Sequence, residues 1–152
     1  MDVFKIVNWF RVESHAQMRL YDADELSLMR VMKLLYYVQG TNLAVYGECA
    51  FDDQILAWQS GPAIASVEGK YAGKISIVGQ ISKKAAADFE EIEVNHHNLA
   101  DVLHAVWDAY GTLSALELVA QSKAENPWRE TEIGQVISNE KMRAFFKTVV
   151  VS

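Results

Sequence analysis

The side chains that invite a chemical reading are His96, His97 and His104, the single cysteine Cys49, and the carboxylates Glu90, Glu91 and Glu93. Adjacent residues project about 100° apart on a helix and to opposite sides of a strand, so His96-His97 cannot chelate a metal as a pair. His104 has Asp101 three residues before it and Asp108 four after it, a spacing that would hold its proton more tightly on a wet helix face. A lone cysteine excludes an intramolecular disulfide and a cysteine-based zinc site, and beside an apolar segment it reads as packing rather than as a nucleophile. Asp88, Glu90, Glu91 and Glu93 put four acids in six positions. Nothing pairs them in a pocket, so they read as a solvated face or loop. Gly69 and Gly73 belong to no phosphate-cradling G-x-x-x-x-G-K-[ST] loop, and no G-x-S-x-G elbow occurs. The expectation is a protein with no catalytic residue, no metal and no cofactor.

The elements that carry these residues are mostly helical by periodicity. Val3, Ile6, Val7 and Phe10 follow the i, i+3, i+4, i+7 template, giving an amphipathic helix that fades near residues 14–20. Asp22, Asp24 and Ser27 are each placed to cap the next helix. Ser27 sets Leu28, Val31, Met32 and Leu35 on one face, and the helix runs past Gly40 to a stop at Gly47. Asp52 or Asp53 would open a short helix ending near Trp58, before a turn at Ser60-Gly61-Pro62. Residues 63–71 read as a helical turn or two. Lys74-Ile75-Ser76-Ile77-Val78 alternates briefly, as in an extended piece or short strand, so at most a short strand or hairpin is expected near residues 74–81. Asn98 caps a helix carrying Leu99, Val102, Leu103, Val106, Trp107 and Tyr110, with Asp101 at its third position and Gly111 at its end. Ser114 and Glu117 form an S-x-x-E capping box for a helix through about Ser122. Asn126-Pro127 reads as an N-cap and N1 pair. Ser138 caps a last helix with Met142, Phe145, Phe146 and Val149 on one face. About six helices and almost no strand predict a compact all-α bundle, one domain over residues 1–152.

Composition supports a folded core. The 152 residues are 51% hydrophobic and 22% charged with two prolines, which argues against a largely disordered chain. The longest stretches without a charge, residues 34–47 and 54–67, fall short of the ~20 residues of a membrane span. Arg11 and Glu13 interrupt the first apolar run, unlike a signal peptide. A cytoplasmic protein with no membrane partner is therefore expected. The net charge is −6, and residues 1–84 balance nine Lys/Arg against nine Asp/Glu, so the whole excess lies in residues 85–152. An acidic domain repels phosphates along a nucleic acid, so no nucleic-acid partner is expected; a basic protein suits it better.

Three segments carry a resemblance. Residues 27–40 read S-L-M-R-V-M-K-L-L-Y-Y-V-Q-G; residues 51–62 run from Phe51 to Ala57-Trp58-Gln59-Ser60-Gly61-Pro62; residues 103–118 precede Glu125-Asn126-Pro127-Trp128. In this order and spacing the chain resembles the Panacea domain family, also called SocA-like or phage-associated GepA-type, over about residues 3–150. The family pattern is roughly K-L-L-Y-Y-x-Q-G, then A-W-x-x-G-P, then a helix and a P-W segment. Two positions depart from it: Met32 stands where the family often has Gln, and Lys123 where it often has His.

The resemblance implies an antitoxin that neutralises a protein toxin encoded beside it, in a family common on phages and other mobile elements. It implies as an alternative a proteolytic adaptor delivering the toxin to a ClpXP-type protease. A small metal-dependent hydrolase using His96, His97 or His104 is the enzymatic alternative, which the expectation of a non-enzyme sets aside. The partner-binding residues expected on this reading are Lys33, Tyr36, Tyr37, Gln39, Trp58, Gly61, Pro62, Pro127 and Trp128, with the acidic segment as a further contact. Aromatic anchors are favoured at protein interfaces. Each of these residues also has a packing role to weigh: a core plug for Trp58, turn geometry for Gly61-Pro62, a lock on the last helices for Pro127-Trp128.

Overall fold

The computed structural model describes residues 1–21 (backbone alone over 18–21), 26–74, 77–78 and 81–150. The expected caps Asp22 and Asp24 lie outside the described residues. In chain order the elements are α1 (Val3–Tyr21), α2 (Leu28–Tyr46), β1 (Leu56–Trp58), β2 (Gly61–Ala63), α3 (Ala65–Tyr71), α4 (Lys83–Asn95), α5 (His97–Tyr110), α6 (Ala115–Ala124), α7 (Asn126–Arg129) and α8 (Asn139–Val150). The expected helical class holds, with eight helices and one two-stranded hairpin among the described residues.

The fold is organised around α2. Ser27 accepts the Arg30 N–H, and Gly47 closes the other end in the left-handed conformation at φ 73°. Every residue from 30 to 43 is buried, polar ones included. A helix apolar on one stripe needs one neighbour; a helix buried on all sides must be enclosed. α8, α5, α6, β2, α3 and α1 all pack on α2, while α4 packs on α1 and α5. The closest approach is at Gly40, where any Cβ would overlap the ring of Phe146 in α8.

Several local expectations are corrected. α1 does not fade at residues 14–20 but continues to Tyr21, with no Gly or Pro to break it and a Gln17–Glu13 hydrogen bond one turn apart. Residues 52–58 are not helical: they lead into β1, which pairs antiparallel with β2 in the register Leu56–Ala63, Ala57–Pro62, Trp58–Gly61. The other edge of β1 is bonded to distant chain, Ala57 N–H to Gln135 O at 2.9 Å and Ile137 N–H to Ile55 O at 2.7 Å. Those partners are about 80 residues away in the sequence, so local propensity could not announce them. The hairpin thus sits at residues 56–63 rather than near 74–81, where Lys74, Ile77 and Val78 are not in a strand and residues 75–76 and 79–80 lie outside the description. α5 begins at His97, so Asn98 is inside it rather than its cap. The Ser114–Glu117 capping box and the Ser138 cap of α8 are present as expected.

Candidate functional site

Lys33, Tyr36, Tyr37 and Gly40 recur at i, i+3, i+4, i+7 and share one face of α2. That face meets the hairpin, α6 and α8. The Lys33 ammonium is fully buried and donates to the carbonyl of Pro62 at 2.9 Å. Among the described residues it ion-pairs with no carboxylate. Burial, and then the charge of Lys123, lower its pKa from 10.5 to about 8. Gly61 keeps the contact tight: its φ is 105°, and a Cβ there would lie 3.2 Å from both Lys33 Cε and Ser122 Oγ. Pro62, which has no N–H to donate, serves here through its carbonyl.

One turn along, Tyr36 donates its hydroxyl to Glu125 Oε1 at 3.0 Å. Tyr37 stacks on Tyr110 with centroids 3.9 Å apart. Burial, with the Glu125 carboxylate beside them, pushes both phenols well above the ordinary tyrosine value. Burial also raises Glu125, against the hydrogen bond from Tyr36 that acts to lower it. The two tyrosines are adjacent in sequence, and so point about 100° apart on α2, yet both are fully buried. This is possible because α8 and α5 cover the two directions, with Phe146 edge-on to both rings.

Glu125 also begins the surface part of the site. It is the N-cap of α7, whose first turn holds the buried Pro127. Trp128 follows, half-buried, and donates its indole N–H to the carbonyl of Trp58 at 2.8 Å. Lys123 sits over the Trp128 ring at 5.1 Å. Trp58, Trp128, Lys123 and Glu125 thus form a half-exposed ledge over the buried Lys33–Tyr36–Tyr37 face. Gln39 points elsewhere and splints the chain after α2, donating to Phe51 O at 2.8 Å and accepting from Ala50 N–H at 2.8 Å.

The structure therefore brings eight of the nine expected residues into one region, with Gln39 apart. Seven of the nine are buried: Lys33, Tyr36, Tyr37, Gln39, Gly61, Pro62 and Pro127; only Trp58 and Trp128 reach the surface. The acidic segment is not the solvated face expected. Asp88 is buried and accepts from Asn8 Nδ2 at 2.8 Å, Glu91 pairs with Lys5 at 2.9 Å, and Glu93 meets His104 Nε2 at 2.6 Å; of the four, Glu90 alone is exposed. His104 is thus partnered from α4 rather than by Asp101 or Asp108. His96 and His97 join α4 to α5 and line a cavity of about 470 Å³ with Cys49, and no group of three metal-ligating side chains occurs among the described residues. Sequence reasoning passed over Glu125 and Tyr110 as site residues. The available signal for Glu125 was its place in the third segment, as an acid two residues before Pro127.

A family model described as antitoxin SocA-like, Panacea domain, matches residues 31–129. The match covers well over half of the chain, including most of α2, the hairpin and the Pro127-Trp128 segment. The protein belongs to the SocA-like Panacea family of antitoxins. No curated protein and no solved structure matches it. Among the described residues no helix is long and apolar enough to cross a membrane.

Proposed function

We propose that this protein is a non-catalytic antitoxin that neutralises a protein toxin by binding it directly, with Trp58, Trp128, Lys123 and Glu125 as the contact ledge. The observation that carries the reading is the convergence of all three motif segments on one place. Lys33, Tyr36 and Tyr37 come from the first, Trp58, Gly61 and Pro62 from the second, and Pro127 and Trp128 from the third. The buried members hold the ledge; the half-exposed tryptophans offer the large, rigid apolar area that anchors interfaces. Lys123, in the place where the family often has His, adds a fixed positive charge over Trp128. On this reading it tunes which toxin fits.

The test is growth rescue. The gene beside this one is expressed alone and with this chain, in wild-type and Lys123→Glu forms. Arrest alone, growth with the wild type, and weaker rescue and pull-down with a folded Lys123→Glu variant are the expected results. Unrelieved toxicity refutes neutralisation. Full rescue by Lys123→Glu moves the contact off the ledge. A toxin half-life shortened by this chain assigns delivery to a protease in place of occlusion.

A further inference from the structure

A second cavity, of about 320 Å³, opens between α1, α3 and the start of α4 and is lined by Arg11, Lys70, Lys74 and Lys84. Four of the nine cations of residues 1–84 therefore surround one hollow in a chain whose net charge is −6. Arg11 is a fixed charge: its guanidinium donates to Ile77 O at 2.7 Å, Val78 O at 3.0 Å and Asn8 Oδ1 at 2.9 Å. The nearby countercharge is Asp88, already engaged by Asn8 at 2.8 Å and Lys84 at 3.3 Å. Lys70 and Lys74 are left over. Among the described residues neither forms an ion pair. Lys70 lies over the Phe4 ring at 4.5 Å, and Lys74 lies 6.0 Å from the Tyr71 ring. Aromatic faces hold an ammonium in place without neutralising it. The hydroxyl of Ser82, which caps α4 through the Ala85 N–H, completes the lining.

We propose that this cavity binds a small multivalent phosphoryl anion. Four cations against one carboxylate leave an excess of three positive charges. A single carboxylate ligand would match one of them, whereas a polyphosphate matches several and has acceptors for the lysine donors. The volume suits a small molecule, and the acidic remainder of the surface disfavours a long nucleic acid. The site shares no residue with the tryptophan ledge, so it stands or falls independently of toxin binding.

Calorimetric titration of the full chain at low ionic strength tests it, with inorganic tripolyphosphate as the probe and ATP and tri-glutamate as further arms. Saturable one-to-one binding of tripolyphosphate is expected. Lys70→Ala with Lys74→Ala should weaken it about tenfold or more, each tenfold corresponding to about 1.4 kcal/mol. Arg143→Ala with Lys147→Ala removes the same charge from exposed positions on α8 and should leave affinity within about twofold. Tighter binding of ATP than of tripolyphosphate marks a nucleotide as the natural source, and equal binding marks a free polyphosphate; both support the site. Absent saturation, equal losses in the two double variants, or tri-glutamate binding as tightly as tripolyphosphate would overturn it.

Discussion

Lys33→Met removes a buried charge while keeping most of the side-chain volume, and its effect can be worked out in sign and size. The Lys33 pKa falls from 10.5 to about 8 in the folded protein because burial disfavours the ammonium. Between those values the unfolded chain holds a proton that the folded chain has released. The unfolded state therefore binds more protons, and stability rises with pH through this window. Integrated from pH 8 to 9.5, the gain is about 1.5 kcal/mol, or about 3–6 °C in Tm for a chain of this length. Above pH 10 the buried Tyr36 and Tyr37 work the other way: their phenols are raised in the fold, so the unfolded chain ionises first and stability falls. The window from 8 to 9.5 isolates the lysine. The assay is a set of thermal or urea melts from pH 7 to 9.5 on wild type and Lys33→Met. The wild type should stabilise with pH; Lys33→Met should lose that rise and be at least as stable at pH 7, since replacing an unpaired buried charge by an apolar chain is neutral to favourable. The Pro62 carbonyl left without its donor offsets part of that gain by about 1 kcal/mol. Parallel pH profiles for the two proteins would refute the reasoning, because they would mean that the ammonium is solvated in the fold.

Three further outcomes follow from the packing. Gly40→Ala should lower Tm by roughly 4–8 °C: helix propensity favours Ala by about 1 kcal/mol, but overlap with the buried Phe146 ring costs more, and an increase in Tm would show that the α2–α8 approach is looser than described. In the pair with Phe146→Ala, the Gly40→Ala cost should vanish or reverse, as a double-mutant cycle would read directly. Ser114→Ala should cost about 1 kcal/mol in a urea melt through loss of the capping box, and no change would mean that the start of α6 frays in solution. Trp128→Phe keeps the ring under Lys123 but loses the bond to the Trp58 carbonyl, so stability should fall by about 1 kcal/mol while binding through the ledge weakens less than with Trp128→Ala.

Much of the architecture was legible in the chain itself. Helix signals are local: a cap side chain, a 3.6-residue stripe, a glycine stop. The Gly47 stop of α2, the capping box of α6 and the Ser138 cap of α8 could therefore be placed from residue types alone, while Ser27 was one of three candidate caps for α2. The ordered motifs likewise fall almost entirely within residues 31–129, the range of the family match. The hairpin was misplaced because β1 is held on one edge by residues 134–137, and long-range backbone pairing leaves no local pattern.

Burial, by contrast, was decided in three dimensions. Sequence periodicity shows which residues share a helix face but not how many neighbours enclose the helix. Tyr36 and Tyr37 both lie inside because α5 and α8 close over two sides of α2. Lys33 lies inside because Gly61 lets the hairpin carbonyl of Pro62 reach it. The acidic run between 88 and 93 was separated into a buried, two paired and one exposed carboxylate only by the partners that α1 and α5 bring to α4. Residue types determined which groups could take part. The packing of distant elements on α2 determined which are structural supports and which, at Trp58 and Trp128, remain open to solvent.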